Sequence, residues 1–589
     1  MAMRTLAAVA VVAALGLSLT HAAEYKARDE VPVVANTIRP YANPTETYQY
    51  YKLPYCPPKE GGQWDEHALG ELLTGSRKVI TDYRLYFGVD QSYAQLCKLP
   101  MTRDVVQTFK DAVDEDYEIS PLAYSCMYVD DIQLQGQVGY LVQHGMTQVN
   151  YFLNTHLHFD VAYNDDGLDV KGENRLVAAN VSMTSPDPGL EYHYALSDEN
   201  VAAHPEAIFT YSVTWHHRPD LSFDDRNVHE GEFNDDLELH WISVINSFIL
   251  VMMLTAFLSI VMLRILKRDF SRYMDLEVGD EGGAGVGGLE DDSGWKLVHA
   301  DVFRMPTNLS LFCAFNGAGA QLLVMLSVVL VSSLLGIVKP NKRGGMMAAF
   351  IVLYALTASV GGYHSARLYR QLGGQRWVWN ILLCVFIIPG PLLIVFSFLN
   401  SVAIWNDSSA ALPFGTIMIV LALFMLVALP LTIPREIPAV PAYRSSAVLM
   451  LAAGCLPFSA VYIELHHIFA AIWGHSIYQL FGILFLSFVM LVFVTAFTTI
   501  SLTYIQLSTE DHRWWWRSYL SGGVVGLFVL LYSVWYYKHA TAMTGFFQAA
   551  FYFGYTGMMA YCFFVMLGFI GFRSSLVFVR KIYRTIKVE

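Results

Sequence analysis

The dominant pattern in this chain is a series of long apolar runs that fills its second half. Each run has about 20 residues or more, enough for a helix to cross a hydrocarbon core about 30 Å thick. The runs cover residues 241–263, 312–337, 346–366, 377–399, 413–433, 446–472, 477–503, 519–537 and 545–572. The pattern therefore predicts an α-helical polytopic membrane bundle of nine transmembrane helices.

The first half has a different pattern, with short alternating stretches such as Tyr211–Trp215 between Pro, Gly and Asp residues. Such alternation is typical of strands, so we expect a β-rich domain over residues 23–240. Residues 1–22 are predicted to be a signal peptide, because Arg4 precedes about 14 apolar residues, too few to span a bilayer. The β-rich domain is then expected on the lumenal side.

The basic residues give an independent orientation. With that domain lumenal, eighteen Lys and Arg residues fall in predicted cytosolic segments and four in lumenal loops, as the positive-inside rule requires. Residues 264–311 are then a cytosolic loop and residues 573–589 a cytosolic tail. The basic cluster 339–343 lies in a lumenal loop, and we have no physical account of it. Trp377, Trp379 and the triplet 514–516 are interpreted as an aromatic belt at the cytosolic interface.

Composition agrees with two environments, since 54% of the residues are hydrophobic and only 15% are charged. The net charge of −13 argues against a nucleic-acid partner. We found no nucleophile elbow, zinc-protease helix, phosphate loop or dinucleotide turn. The sequence therefore gives no support for an enzyme and implies no cofactor.

Three cysteines fall in the lumenal domain, where an oxidising environment favours one disulfide and one unpaired thiol. We choose Cys56 and Cys97 as the pair over the alternatives that involve Cys126. Asn180 begins an N-glycosylation sequon in the same domain.

Histidines of the lumenal domain raise a metal hypothesis. His156, His158 and Asp160 alternate along one predicted strand, so they share a face, and His216–His217 lies elsewhere in the domain. A solvated strand face gives the same alternation, and we favour that interpretation over a metal site.

Ionisable and amide side chains inside predicted spans are the candidate functional residues. Glu464 and His466 lie in span six and Asn246 in span one. Polar groups in lipid are costly and usually face protein or water. They are either a cation or substrate site, or a contact for a client helix, or interhelical hydrogen bonds with lumenal histidines at the helix end.

Several motifs resemble, in order, those of the nonaspanin family, also called the transmembrane 9 superfamily. The resemblance extends over nearly the whole mature chain. It rests on residues 51–56, 69–77, 240–247, 294–304, 365–369, 413–416, 510–518, 581–583 and 587–589.

The resemblance implies residence in Golgi and endosomal membranes. It also implies a role in trafficking and membrane localisation of other transmembrane proteins, including clients with glycine-rich spans. Lys587 and Glu589 match the family's C-terminal Lys-x-Asp/Glu signal, which the COPI coat reads.

Two departures from the family bear on function. Residues 430–438 are shorter than the corresponding loop of relatives, and Phe497 stands where relatives usually carry an acidic residue. The favoured hypothesis is a sorting receptor that recognises client transmembrane helices, with membrane lipid as its surroundings. The alternative is an ion or small-molecule transporter or channel, which Phe497 weakens by removing a carboxylate from span seven.

Overall fold

The computed structural model has an N-terminal β-rich region followed by a helical bundle. It describes residues 24–40, 46–58, 78–114, 117–119, 127–129, 132–134, 136–144, 148–164, 174–182, 193–221, 234–280, 298, 301–335, 345–409, 411, 446–473, 481–508, 511–541, 543 and 545–584. The predicted signal peptide 1–22, span five at 413–433 and the basic cluster 339–343 lie outside these residues.

Fifteen described strands, two short α-helices and one 3-10 turn at Tyr50–Lys52 form the β-rich region. The strands are β1 (Glu30–Ala35), β2 (Thr37–Pro40), β3 (Tyr48–Gln49), β4 (Val79–Tyr86), β5 (Gln91–Pro100), β6 (Tyr117–Ile119), β7 (Met127–Val129), β8 (Ile132–Leu134), β9 (Gly136–Gln137), β10 (Gly139–His144), β11 (Gln148–Asn154), β12 (His156–Asn164), β13 (Arg175–Ser182), β14 (His193–Ala195) and β15 (Glu206–His217). The helices are α1 (Arg103–Asp114) and α2 (Asp198–Ala203).

These strands form four small sheets around one apolar core. Their orders are β4-β1-β7-β8, β10-β11-β14, β13-β12-β15-β5 and β3-β2-β6-β9. The longest strands form the third sheet, in which β12 and β15 run parallel and the other pairs antiparallel. Alternate residues of β12 and β15 are buried in the core, which includes Phe159 and Val213. The expectation of a β-rich domain is confirmed.

Nine helices form the bundle described after that region. They are α3 (Asn234–Asp280), α4 (Leu309–Leu334), α5 (Gly345–Gln371), α6 (Trp377–Phe386), α7 (Pro389–Trp405), α8 (Ser446–Trp473), α9 (Phe481–Ser508), α10 (Trp514–Ala540) and α11 (Phe546–Arg584).

Seven candidate spans are present among the described residues, each long and apolar enough to cross a membrane. They correspond to predicted spans two, three, four, six, seven, eight and nine, and α6 together with α7 makes one of them. The first predicted span lies within α3, which is not one of the seven. A helical membrane bundle is thus confirmed, whereas the count of nine stays a prediction.

Two helices continue well past the apolar runs that predicted them. The helix α3 starts seven residues before predicted span one and continues to Asp280, into the predicted loop 264–311. The helix α11 continues to Arg584, into the predicted tail 573–589. Helix geometry does not require an apolar sequence, because every backbone hydrogen bond is made within the helix. Polar and basic residues therefore extend both helices beyond their apolar runs.

The fourth span is kinked where the sequence places Pro389 and Pro391. The helix α6 ends at Phe386 and α7 begins at Pro389. Proline has no backbone N–H, so neither Pro389 nor Pro391 can donate a hydrogen bond to the carbonyl oxygen four residues earlier. The carbonyl of Ile387, which Pro391 leaves without its helical partner, accepts a 2.6 Å hydrogen bond from the Tyr561 hydroxyl of α11.

The helices α10 and α11 pack with direct backbone contact. A Cβ added to Gly522 would lie 2.4 Å from the Leu567 carbonyl oxygen, and one added to Gly526 would lie 2.5 Å from that of Ala560. Real Cβ atoms do not approach oxygen so closely. Small residues at spacing four are what permits this approach in a membrane, where lipid gives no hydrophobic drive for association.

The β-rich region is joined to the bundle through the segment around β3. The Thr47 carbonyl oxygen accepts from the Ser409 amide at 2.8 Å and from the Ser408 hydroxyl at 2.7 Å, just after α7. On the same segment, Glu46 accepts a 2.8 Å hydrogen bond from Gln548 near the start of α11. The β-rich region therefore contacts the ends of two spans.

Candidate functional site

Glu464 lies inside the bundle, on the helix α8. It is 2% exposed and stands in a largely apolar helix that also carries His466 and His467. The helix presents this residue to protein rather than to lipid, as expected for an ionisable group at membrane depth. Glu464 is therefore the buried carboxylate on which any intramembrane chemistry of α8 would depend.

His466 lies two residues further along α8, on an exposed face. Its Nδ1 is 2.9 Å from the hydroxyl of Tyr532 on α10, and its ring centroid is 5.8 Å from that of Tyr536. Tyr532 also contacts Phe469 edge to face at 5.5 Å. His466 thus forms an interhelical hydrogen bond at the rim of an aromatic cluster, and it does not share the burial of Glu464.

Asn246, the third intramembrane candidate, lies at an exposed position of α3. The buried side of this helix is further along, where Val251 packs against Ala460, Met490 and Val494 of α8 and α9. Asn246 is consequently not part of the described bundle interior.

A hydroxyl-rich face of α9 packs against α11. The hydroxyls of Thr503 and Ser575 are 3.0 Å apart, and those of Thr499 and Ser574 are 3.3 Å apart. Sequence reasoning missed this face, although Thr495, Thr499 and Thr503 recur every four residues. Phe497, in contrast, is 39% exposed on the outside of α9. A carboxylate at that position would leave the hydroxyl face unchanged.

A second group of polar side chains lies where α4, α5 and α6 meet. Asn380 donates to the Ser365 hydroxyl at 2.8 Å, and Gln321 donates to the Tyr354 carbonyl oxygen at 2.9 Å. Asn316 donates to the Phe312 carbonyl oxygen at 2.7 Å, and its own Oδ1 is buried without a hydrogen bond. These amides were also missed, because single polar residues interrupt the apolar runs only briefly.

His156 and His158 lie on β12 and have hydroxyl partners on the adjacent strand β15. His156 contacts Thr210 at 2.8 Å and Ser212 at 2.9 Å, and His158 contacts the same Ser212 hydroxyl at 2.8 Å. Burial lowers the pKa of His156 to about 4 and also lowers the pKa of His158. In the described ranges no three His, Cys, Asp or Glu side chains converge as metal ligands would.

His216 and Asp160 contact each other on the exposed side of the same sheet, with Nε2 and Oδ1 3.2 Å apart. The strand alternation proposed for His156, His158 and Asp160 is present in β12. Through this alternation, His156 and His158 form hydrogen bonds from β12 to β15.

Cys56 and Cys97 form a disulfide, the pair chosen from the sequence. It ties the segment after β3 to β5, and Tyr55 beside it stacks on Tyr50 with ring centroids 4.9 Å apart. Asn180 is exposed on β13. Lys587, Glu589 and Cys126 lie outside the described residues.

The tryptophan triplet does not form an interfacial belt as a whole. Trp514 and Trp515 are 0% and 4% exposed, inside a cluster with Phe312 and Phe572. Trp514 Nε1 donates to the Val302 carbonyl oxygen at 2.9 Å. The belt interpretation is therefore wrong for these two residues, which hold the segment before α4 against α10. Trp377, at 55% exposed, fits an interfacial position.

The chain matches the family described as Endomembrane protein 70 over residues 47–433 and 432–546. It is 41% identical to transmembrane 9 superfamily member 3 of Arabidopsis thaliana, over 96% of this chain and 95% of the relative. No solved structure matches it.

Two further relatives come from distant organisms. Transmembrane 9 superfamily member 1 of Bos taurus is 39% identical over 96% of this chain and 94% of its own length. Putative phagocytic receptor 1b of Dictyostelium discoideum is 38% identical over 96% and 95%. The resemblance drawn from the motifs is thus confirmed, and the chain is a multi-pass membrane protein that belongs to the transmembrane 9 superfamily.

Proposed function

We propose that this protein acts in the trafficking and membrane localisation of other transmembrane proteins, by binding their membrane-spanning helices. Membership in a family described as endomembrane proteins supports this role. So does the receptor name of the Dictyostelium discoideum relative. The clients are transmembrane proteins, and glycine-rich spans are the favoured class.

One surface of the bundle carries the proposal. On α5, Ser359 and Ala366 are exposed, and Gly362 lies between them. Among the described residues no atom lies within 4 Å of a Cβ added to Gly362. The inward glycine of the same helix, Gly361, would meet Gln321 at 2.9 Å. A client helix could therefore approach α5 closely at Gly362 without displacing a described neighbour.

The test compares surface delivery of model proteins that differ only in the glycine content of their transmembrane segment. Cells that express Gly362→Leu should lose delivery of the glycine-rich client, because the added side chain occupies the approach surface. Gly390→Leu is the matched control, because Gly390 lies on a different helix, α7. As at Gly362, no described atom lies within 4 Å of a Cβ added there. Unchanged delivery of every client with Gly362→Leu would contradict the proposal.

Residence in the Golgi and endosomes, with the β-rich region lumenal, belongs to the same proposal. Lys587 and Glu589 are proposed to bind the COPI coat from a cytosolic tail. The variant Lys587→Ala with Glu589→Ala should move the protein away from the Golgi, as microscopy would detect. The nearby pair Arg584→Ala and Thr585→Ala controls for general disturbance of the tail.

Transport is the second candidate, favoured by two observations. The fourth span is interrupted at Pro389, and discontinuous helices build many transporter sites. Glu464 adds a buried carboxylate in another span. Solute flux in vesicles reconstituted with the protein, abolished by Glu464→Gln, would favour transport over sorting.

A further inference from the structure

A cleft lies at the end of the bundle predicted to be cytosolic, between α4, α5 and α11. Its wall includes the side chains of Asn316, His364, Arg367, Gln371, Arg573 and Arg580. Three guanidinium groups thus line one opening, and no carboxylate is among the described residues that line it. The three arginines are exposed, so the charge lies at the mouth.

Among the described residues, the hydrogen bonds of Arg367 and Arg580 do not compensate their charge. Arg367 donates to its own-helix neighbour Tyr363 at 3.2 Å, and Arg580 donates to the Gln371 side chain at 3.3 Å. Both acceptors are neutral. No ion pair links any of the three to the described part of the chain. Three like charges around one opening repel each other, and a bound anion would relieve that repulsion.

Asn316, at the rear of the cleft, sets a second requirement for the ligand. Asn316 is 2% exposed, and its Oδ1 is buried without a hydrogen bond. This oxygen is an acceptor, so it needs a donor, and phosphate oxygens cannot provide one. The cavity of about 30 Å³ has room for a hydroxyl group or one or two water molecules. A ligand that binds the arginines at the mouth and also donates to Asn316 at the rear therefore carries a phosphate with a hydroxyl beside it.

The position of the cleft selects the source of that ligand. Trp377 and Trp379, at 55% and 49% exposed, follow α5 at the same end of the bundle and are typical of headgroup depth. Phosphate groups are concentrated there as lipid headgroups, and guanidinium groups bind them with paired hydrogen bonds. We propose that this cleft binds the phosphorylated inositol headgroup of an anionic lipid in the cytosolic leaflet.

In this site the arginines bind the phosphate and Asn316 accepts from an inositol hydroxyl, directly or through a water molecule. Lipid binding here does not depend on client sorting, but its assignment to the cytosolic leaflet rests on the proposed lumenal position of the β-rich region. Lipid binding of this kind would make the state of the bundle responsive to the membrane in which the protein resides.

The test measures binding of a dioctanoyl phosphatidylinositol phosphate to the purified full-length protein in detergent, by native mass spectrometry. Arg573→Gln and Arg367→Gln should each weaken binding about tenfold, as expected for loss of one charge-assisted pair. Arg370→Gln is the matched control, since Arg370 is exposed on the same helix as Arg367 but does not line the cleft. Asn316→Asp keeps the shape of the side chain and should weaken binding too, because it adds a carboxylate at the rear.

Three other probes decide the source and the specificity. Inositol phosphate without acyl chains, inorganic phosphate and dioctanoyl phosphatidylcholine should all bind more weakly than the lipid. Equal binding of free inositol phosphate would overturn the lipid assignment in favour of a soluble phosphate. Equal weakening by Arg370→Gln and Arg573→Gln would overturn the site itself, because the attraction would then be a property of the whole basic surface.

Discussion

The Tyr561 hydroxyl donates to the carbonyl oxygen of Ile387 at 2.6 Å, across the interface between the ninth and fourth spans. Pro391 leaves that carbonyl without a helical donor, so a side chain from another helix provides the hydrogen bond. Tertiary contacts commonly satisfy backbone groups freed by proline in this way. The kink in the fourth span is thus held by α11.

We expect Tyr561→Phe to destabilise the protein by about 0.6 kcal/mol, and by no more than about 1.7 kcal/mol, the range for hydrogen bonds within membranes. In the Pro391→Ala background the same substitution should cost less, because an alanine there restores an N–H for the Ile387 carbonyl. Unfolding of the full chain in detergent measures both. Tyr462→Phe is the control, since Tyr462 is 42% exposed. Equal costs in the two backgrounds would contradict this account.

Gly526→Ala should destabilise the bundle by about 1–3 kcal/mol, the usual range for overpacking. The added Cβ would lie 2.5 Å from the Ala560 carbonyl oxygen, so the two helices must separate. Gly557→Ala, on α11, is the control, because the described residues leave its Cβ position open. It should be neutral or slightly stabilising. A similar melting temperature for both variants would mean that the helices separate freely.

Acid should weaken the pairing of β12 with β15. His156 is 1% exposed and has a pKa of about 4, whereas an unfolded histidine titrates near pH 6.5. Between these values the unfolded state binds more protons, so the free energy of unfolding falls as pH decreases. From pH 7 to pH 5 we expect a loss of about 1–2 kcal/mol.

Hydrogen exchange of the amides in β12 and β15, corrected for the intrinsic pH dependence, measures this loss. His156→Gln can keep a hydrogen bond to Thr210 or Ser212 but does not titrate, so its protection should depend less on pH. Equal pH dependence in the variant and the parent would assign the effect to other groups.

Trp514→Phe should loosen the segment that precedes α4. It removes the donor to Val302 and should cost about 0.5–1.5 kcal/mol. Limited proteolysis should then cut within residues 301–308 sooner. Trp377→Phe should leave the cleavage rate unchanged, because Trp377 is 55% exposed. Cleavage at the parental rate in Trp514→Phe would show that apolar packing alone holds this segment.

Apolar run length predicted the described spans well, because crossing lipid imposes a minimum length that sequence displays directly. It failed at helix ends, where α3 and α11 continue through basic residues such as Arg268 and Arg580. Run length also could not separate Trp377 from Trp514. Both stand beside an arginine at the end of a span, and only packing buries one and exposes the other.

Polar contacts between distant segments were beyond sequence reasoning for a different reason. Glu464 was conspicuous because a carboxylate is rare in an apolar run. Asn316 was not, and its importance arises from arginines more than 50 residues away in the chain. Similarly, nothing in the residues near Thr47 indicates that it meets Ser409.

The contact of Gly522 and Gly526 with the backbone of α11 has a mechanical consequence. Two helices whose main chains touch have no compressible layer of side chains between them, so they are expected to translate and tilt together. Any opening that admits another helix would then occur at the periphery. The natural place is α5, where Gly362 leaves the approach of another helix open.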